Sequence, residues 1–145
     1  MMTKSLQYIG EIQTPYISLD ECPNNIQPQG PDCQILLSEE FEHGLDGLQV
    51  RNNILILYWL ADAERDQMIQ SGRSETSKGV FALRSPHRPN PIGAAVLPIE
   101  AIEGNVITVK GLDCLNGTPL LDIKPATSNS ILKTNTDILE KPSTT

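Results

Sequence analysis

The run NILILYWLA, residues 53–61, limits this chain more than any other feature. After its leading Asn it is apolar throughout and of strand length, so it reads as the most buried element of the fold. No stretch approaches the ~18 consecutive apolar residues of a membrane-crossing helix. The runs around it are short and also read as strands. LQYIGEIQT alternates as a first strand closed by Pro15, and CQILLS forms a second. GVFALR and IGAAVLPI flank a proline-rich loop, EGN sets up a hairpin into NVITVKGL, and NGTPLLDIK opens on the strong Asn-Gly turn signal. Residues 20–32 hold three prolines and read as loop. SEEFEHGLDGL reads as one helix, with Ser38 as N-cap, glutamates in its first turn and Gly44 or Gly47 at its end. ERDQMIQSGRSETSKG is polar and reads as a mobile connection.

Short strands with one or two short helices predict a mainly β fold, a small antiparallel barrel or sandwich. At 145 residues there is room for one domain, expected over 1–125, with a poorly ordered tail over 126–145. The N-terminus lacks the apolar run of a secretory signal, so the expected location is cytoplasmic. Cys22, Cys33 and Cys114 are scattered, without CxxC spacing, and predict neither a metal site nor a disulfide framework. Net charge is −7, which argues against a general grip on nucleic acid. Yet Arg65, Arg73, Lys78, Arg84 and Arg88 crowd into one stretch, enough for a local positive patch on an acidic protein.

The loop inside GVFALRSPHRPNPIG is the candidate site. Three prolines fix their own φ and push Ser85, Arg88 and Asn90 toward extended backbone, leaving the loop few shapes. Rigidity lowers the entropy lost on binding a ligand. Arginines on such a frame suit a carboxylate or phosphate. Asn90 carries both a donor and an acceptor, enough to read an amide or a base edge. The competing reading is a stiff corner whose arginines cap carbonyls.

GVFALRSPHRPNPIG followed by LDCLNGTPLLDIKP resembles the two signature segments of the TsaA-like, or tRNA methyltransferase O, family. GLDGLQVRNNILILYWLADA is similar to that family's helix and central apolar strand, so the resemblance runs from about Tyr8 to Pro125. It implies a small β-barrel that binds S-adenosylmethionine, as a homodimer with the cofactor near the subunit interface. The implied reaction is N6-methylation of threonylcarbamoyladenosine beside the anticodon of tRNA. By match to the family pattern, Arg84 faces the cofactor, and Leu115, Gly117, Thr118, Pro119 and Leu120 present backbone groups to its adenosine part. Leu60 and Ala61 line the same pocket, and Gln27 and Pro28 stand where the family has an Arg-Gln-Pro segment. On the substrate side, Arg88 is the candidate to hold a phosphate or carboxylate and Asn90 to read an amide or base edge. Asp122 is the candidate for its proton, with Lys124 beside it on the same side of a strand; a structural ion pair is the competing reading of that couple.

The chain departs from the family pattern at three places. Ala126 follows Pro125 where the family continues with Tyr, Ala61 replaces a His, and no Arg precedes Gln27. These changes keep a second reading open: a methyltransferase of small molecules, or a cofactor-binding protein without tRNA activity. His43, Tyr58, Trp59 and Cys114 read as surface, core, core and a small buried thiol.

Overall fold

The computed structural model describes residues 3–71 and 77–126. Its strands are β1 (Gly10–Gln13), β2 (Asp32–Leu37), β3 (Asn53–Trp59), β4 (Ile69–Ser71), β5 (Ser77–Gly79), β6 (Ile92–Pro98), β7 (Ala101–Glu103), β8 (Val106–Lys110) and β9 (Thr118–Ala126). Seven of them form one antiparallel sheet in the order β6-β3-β9-β1-β2-β8-β7. The mainly β, antiparallel expectation is borne out. The hydrogen-bonded ladder does not close, because β6 and β7 are its two ends; β6 packs on β8 instead, so the sheet curls around its core.

The apolar run of the sequence is β3, paired along its length with β6 on one side and β9 on the other. Ile54, Ile56 and Tyr58 point inward and join Ile12, Ile35, Leu97, Ile107, Val109, Leu112 and Leu120 in the core. Leu55, Leu57 and Trp59 point the other way and are only half-buried. Their register partners Val96, Ala94 and Ile92 on β6 share that outer side. The strand is therefore apolar on both faces, while a single chain fully covers only the inner one.

Four local expectations are corrected. The stretch 64–79 holds more than a connection: among its described residues, β4 and β5 pair antiparallel. GVFALR is not a strand. Val80–Ala82 is a 3₁₀ turn in which Val80 is buried and Phe81 is exposed. Leu83 gives its amide to Val80 O and its carbonyl to Arg88, which leaves that residue nothing for a ladder. The helix exists, but as a 3₁₀ helix over Glu39–Leu45, and Ser38 caps it without a side-chain bond. Leu45 anchors it in the core, and Gly44 within the element lowers the propensity for an α-helix. The first strand is also shorter than its alternation, starting at Gly10. The proposed tail begins at the end of β9, where Ala126 still pairs with Asn53; residues 127–145 lie outside the described residues.

This topology gathers distant segments at one end of the sheet. Tyr58 sits in register with Gly93 on β6 and Leu120 on β9. Just beyond it, the Leu60 amide bonds Pro91 O at 2.8 Å. The loop before β2 joins them, since Gln27 N bonds Gly111 O at 2.8 Å and Gly111 N bonds Pro31 O at 2.8 Å. Residues 22–31, 58–61, 83–93 and 111–120 are thus linked, although the first and last of these segments lie far apart in sequence.

Candidate functional site

At the centre of that end, Tyr58 Oη donates to Asp113 Oδ1 at 2.5 Å. Tyr58 is 2 % exposed, and its ring lies flat against Gly93. A Cβ at Gly93 would come 2.3 Å from ring atom Cε2, so only glycine lets β6 pass there. Burial raises the Tyr58 hydroxyl far above the ordinary phenol range, and the Asp113 charge raises it further. The hydroxyl therefore stays protonated as a donor. Burial also raises the Asp113 carboxyl, while the Tyr58 bond, its own backbone amide and the charge of Arg84 pull it back down. Arg84 is felt electrostatically by both members of the pair, yet it is exposed and forms no ion pair among the described residues.

The sequence had placed Tyr58 in the core, which is correct, and had given Asp113 no role. The available signal was an isolated carboxylate in GLDCL, between residues of core type. Its neighbour Cys114 is 2 % exposed, and burial pushes its thiol up to about 12. It is a small buried thiol, as expected.

The two loop arginines part company. Arg88 Nη1 donates to Leu83 O and to Ser85 O, both at 3.1 Å, so this side chain braces its own loop. Asn90 is exposed, and its Oδ1 accepts from Arg65 Nη2 at 3.2 Å. Arg65 Nε also bonds Pro89 O at 2.6 Å, and its guanidinium lies 5.2 Å from the centre of the Trp59 ring. His87 is held from the same side: its Nδ1 accepts from the Glu64 amide, and its carbonyl accepts from Gln70 Nε2. The loop is stiffened twice, by its prolines and by the segment 64–70.

The second signature segment is anchored by its backbone. The amides of Asn116, Gly117 and Thr118 bond Tyr16 O, Ile12 O and Leu115 O. Those three donors are engaged inside the fold, so the backbone groups this turn can offer to a ligand are its carbonyls and its other amides. Thr118 is buried with its hydroxyl on Leu115 O, and Leu120 is a fully buried core residue paired with Tyr58. Leu115 and Pro119 are half-buried. A Cβ on Gly117 would meet nothing within 4 Å, so space lies open beside the turn. Leu60 is half-buried against the core, whereas Ala61, Gln27 and Pro28 are exposed at the rim.

Asp122 and Lys124 are not brought to this cluster. They stand in register with Leu57 and Leu55, on the opposite side of the sheet from the Tyr58 ring. Their charges are 3.6 Å apart and about half exposed, and Asp122 Oδ1 also accepts the Ile123 amide. The ion-pair reading describes them. Two surface depressions are present: one of about 500 Å³ lined by Gln13, Thr14, Asp32, Gln34, Thr108 and Asn116, the last in the turn of the second signature segment, the other of about 420 Å³ beside Tyr8 and Glu39. His43 is exposed, as expected. No group of three metal-ligating side chains occurs among the described residues.

Residues 11–130 match the model of the tRNA-methyltransferase O N-terminal domain. The chain belongs to this family. It is 43% identical over 127 residues to the probable S-adenosyl-L-methionine-binding protein VirR of Rhizobium radiobacter, covering 87% of this chain and 73% of VirR. A solved TrmO structure superposes with a TM-score of 0.74 at 30% identity, covering 89% of this chain and 60% of that one. A rat tRNA (adenine(37)-N6)-methyltransferase is 40% identical over 88 residues, covering 58% of this chain and 20% of the rat protein. This TrmO-family chain thus spans about three fifths of the solved TrmO chain and a fifth of the rat protein.

Proposed function

We propose that this TrmO-family chain is an S-adenosylmethionine-dependent methyltransferase that N6-methylates threonylcarbamoyladenosine beside the anticodon of tRNA. The match to the TrmO N-terminal domain over nearly all the described residues carries this reading. The residues present fit the cofactor. Arg84 offers a guanidinium that is in no ion pair among the described residues, Asp113 a half-buried carboxylate, and the Gly117 turn has open space beside it. When bound, the cofactor supplies an electrophilic methyl group. The chain's part is to hold donor and acceptor in line, which lowers the barrier by proximity and needs no covalent nucleophile.

Support for an RNA substrate lies in the rim. Arg65, Arg84 and Arg88 surround the stiff loop, and none of them is in an ion pair among the described residues. Bonds to carbonyls fix Arg65 and Arg88 without neutralising them, which leaves a patch of three guanidinium charges beside the loop on a protein of net charge −7. Such a patch suits a phosphate backbone. The second reading, a methyltransferase of small molecules or a binding protein without tRNA activity, is favoured by that acidic total and by Ala126 at the end of β9.

The proposed assembly is a homodimer. Leu55, Leu57, Trp59, Val96 and Ile92 make the outer side of β3 and β6 apolar, and Ile92 is 39 % exposed there. A symmetric pair would cover the same patch on both chains. Light scattering is expected to give about twice the 15.9 kDa chain mass.

Incubating purified protein with S-adenosylmethionine and tRNA carrying threonylcarbamoyladenosine tests the activity. Nucleoside mass spectrometry should show the modified adenosine gaining one methyl group. Saturable cofactor binding with no methylated nucleoside would favour the second reading instead.

A further inference from the structure

Arg65 reaches the stiff loop from outside it, on the segment that follows β3. That segment is itself pinned to the loop. The Leu60 amide bonds Pro91 O at 2.8 Å, the Glu64 amide bonds His87 Nδ1 at 3.0 Å, and Gln70 Nε2 bonds His87 O at 2.6 Å. Arg65 adds three contacts of its own. Nε donates to Pro89 O at 2.6 Å, Nη2 donates to Asn90 Oδ1 at 3.2 Å, and the guanidinium carbon lies 5.2 Å from the centre of the Trp59 ring. Nε and Nη2 share one edge of the planar guanidinium, so the loop occupies that edge while the aromatic ring steadies the group. The end edge, formed by Nη1 and the second N–H of Nη2, is bonded to nothing among the described residues, and the side chain is exposed. Its charge has no carboxylate partner there, since neighbouring Glu64 accepts from Gln67 instead. A guanidinium only donates, so Asn90 turns its oxygen to Arg65 and keeps Nδ2 beside it as a further donor.

We propose that the free edge of Arg65, flanked by the Asn90 amide group, is an oxyanion site that takes a carboxylate or phosphate of the substrate. Two parallel N–H donors on a planar cation fit the paired oxygens of either group. The bonds already made to Pro89 and Asn90 hold the edge in place and lower the entropy lost on binding. Arg88 places Nη1 on Leu83 O and Ser85 O and so faces its own loop; the oxyanion role expected of it passes to Arg65. The inference rests on the tRNA reading above and deepens it. Threonylcarbamoyladenosine offers a carboxylate, and the RNA backbone offers phosphates.

Filter binding with two probes tests it: a tRNA carrying threonylcarbamoyladenosine, and the same transcript without the modification. Arg65→Gln should weaken the modified tRNA at least tenfold while changing S-adenosylmethionine affinity less than twofold. Weakening confined to the modified tRNA would identify the carboxylate as the ligand. Equal weakening of both tRNAs, with the salt slope of binding reduced by about one, would identify a phosphate. Asn90→Asp keeps an acceptor for Arg65 and sets a negative charge beside the free edge. It should weaken tRNA binding at least tenfold with a thermal melt no lower than wild type, which a purely structural contact would not give. Unchanged tRNA affinity in folded Arg65→Gln and Asn90→Asp protein would overturn the inference and leave the tRNA reading standing. Equal loss of S-adenosylmethionine and tRNA binding would also overturn it, because it would mark Arg65 as a brace of the loop alone. Wild type that binds S-adenosylmethionine but neither tRNA would overturn the inference together with the tRNA reading beneath it.

Discussion

Segments 83–91 and 111–118 meet at one end of the sheet and are held there by different mixtures of side-chain and backbone bonds. In the first, side chains do the holding: Arg88 braces Leu83 and Ser85, Arg65 braces Pro89, and Gln70 braces His87. In the second, backbone amides are sewn into Tyr16 and Ile12, and Gly111 is clamped between Gln27 and Pro31. The difference teaches which side chains remain for a ligand. The first loop uses Arg88 on itself and leaves Arg84 unpaired. The second adds the Thr14, Asn116 and Thr118 side chains to its backbone bonds and leaves Asp113 to meet Tyr58.

The sharpest way to break the comparison is at the backbone-held segment. Gly111 has φ +78°, and a Cβ there would lie 1.6 Å from Gln27 O. That contact is backbone on backbone and cannot be relieved by a rotamer change. Gly111→Ala should lose about 3 kcal/mol or more of folding stability, read from urea unfolding. A loss below about 1 kcal/mol would mean that this loop is not clamped as described.

Tyr58→Phe comes next. It removes the donor to Asp113 and leaves the ring on Gly93, so the expected loss is about 1.5–3 kcal/mol for a bond to a charged acceptor. Denaturant midpoints measure it, and an unchanged midpoint would dissolve the link between β3 and the second segment.

A pair of arginine variants sharpens the side-chain-held loop. Arg88→Ala removes two partly buried bonds to carbonyls and should cost about 1–3 kcal/mol. Arg84→Ala should leave stability within about 0.5 kcal/mol, as for a surface change, while weakening S-adenosylmethionine binding. Equal stability loss in the two variants would erase the proposed division of labour.

The smallest effect belongs outside both loops. Lys124→Ala breaks an exposed ion pair and should cost about 0–1 kcal/mol. A thermal melt shifted well beyond that would show that the Asp122 and Lys124 couple has a larger structural role than its exposure implies.

Much of the architecture was legible because its signals are local. Alternation and β-branched runs marked β2, β6, β8 and β9, Asn116-Gly117 marked the turn before β9, and the apolar run marked β3 as the centre of the fold. GVFALR misled because one buried residue, Val80, can be reached by a single 3₁₀ turn as well as by a strand. The pairing of β4 with β5 escaped because the residues of both strands are mostly exposed and carry no apolar period.

The candidate site divides along the same line. Proline spacing alone determined that 85–91 would be stiff, since each ring restricts its own φ and its predecessor's backbone. Which arginine braces the loop and which stays unpaired depended on where the Leu83 and Ser85 carbonyls came to lie. The Tyr58 to Asp113 bond joins residues 55 positions apart, so it exists only once β3 and the 111–118 segment are packed together. Local pattern records what each segment prefers, but a contact between distant segments is decided by the sheet that brings them within bonding range.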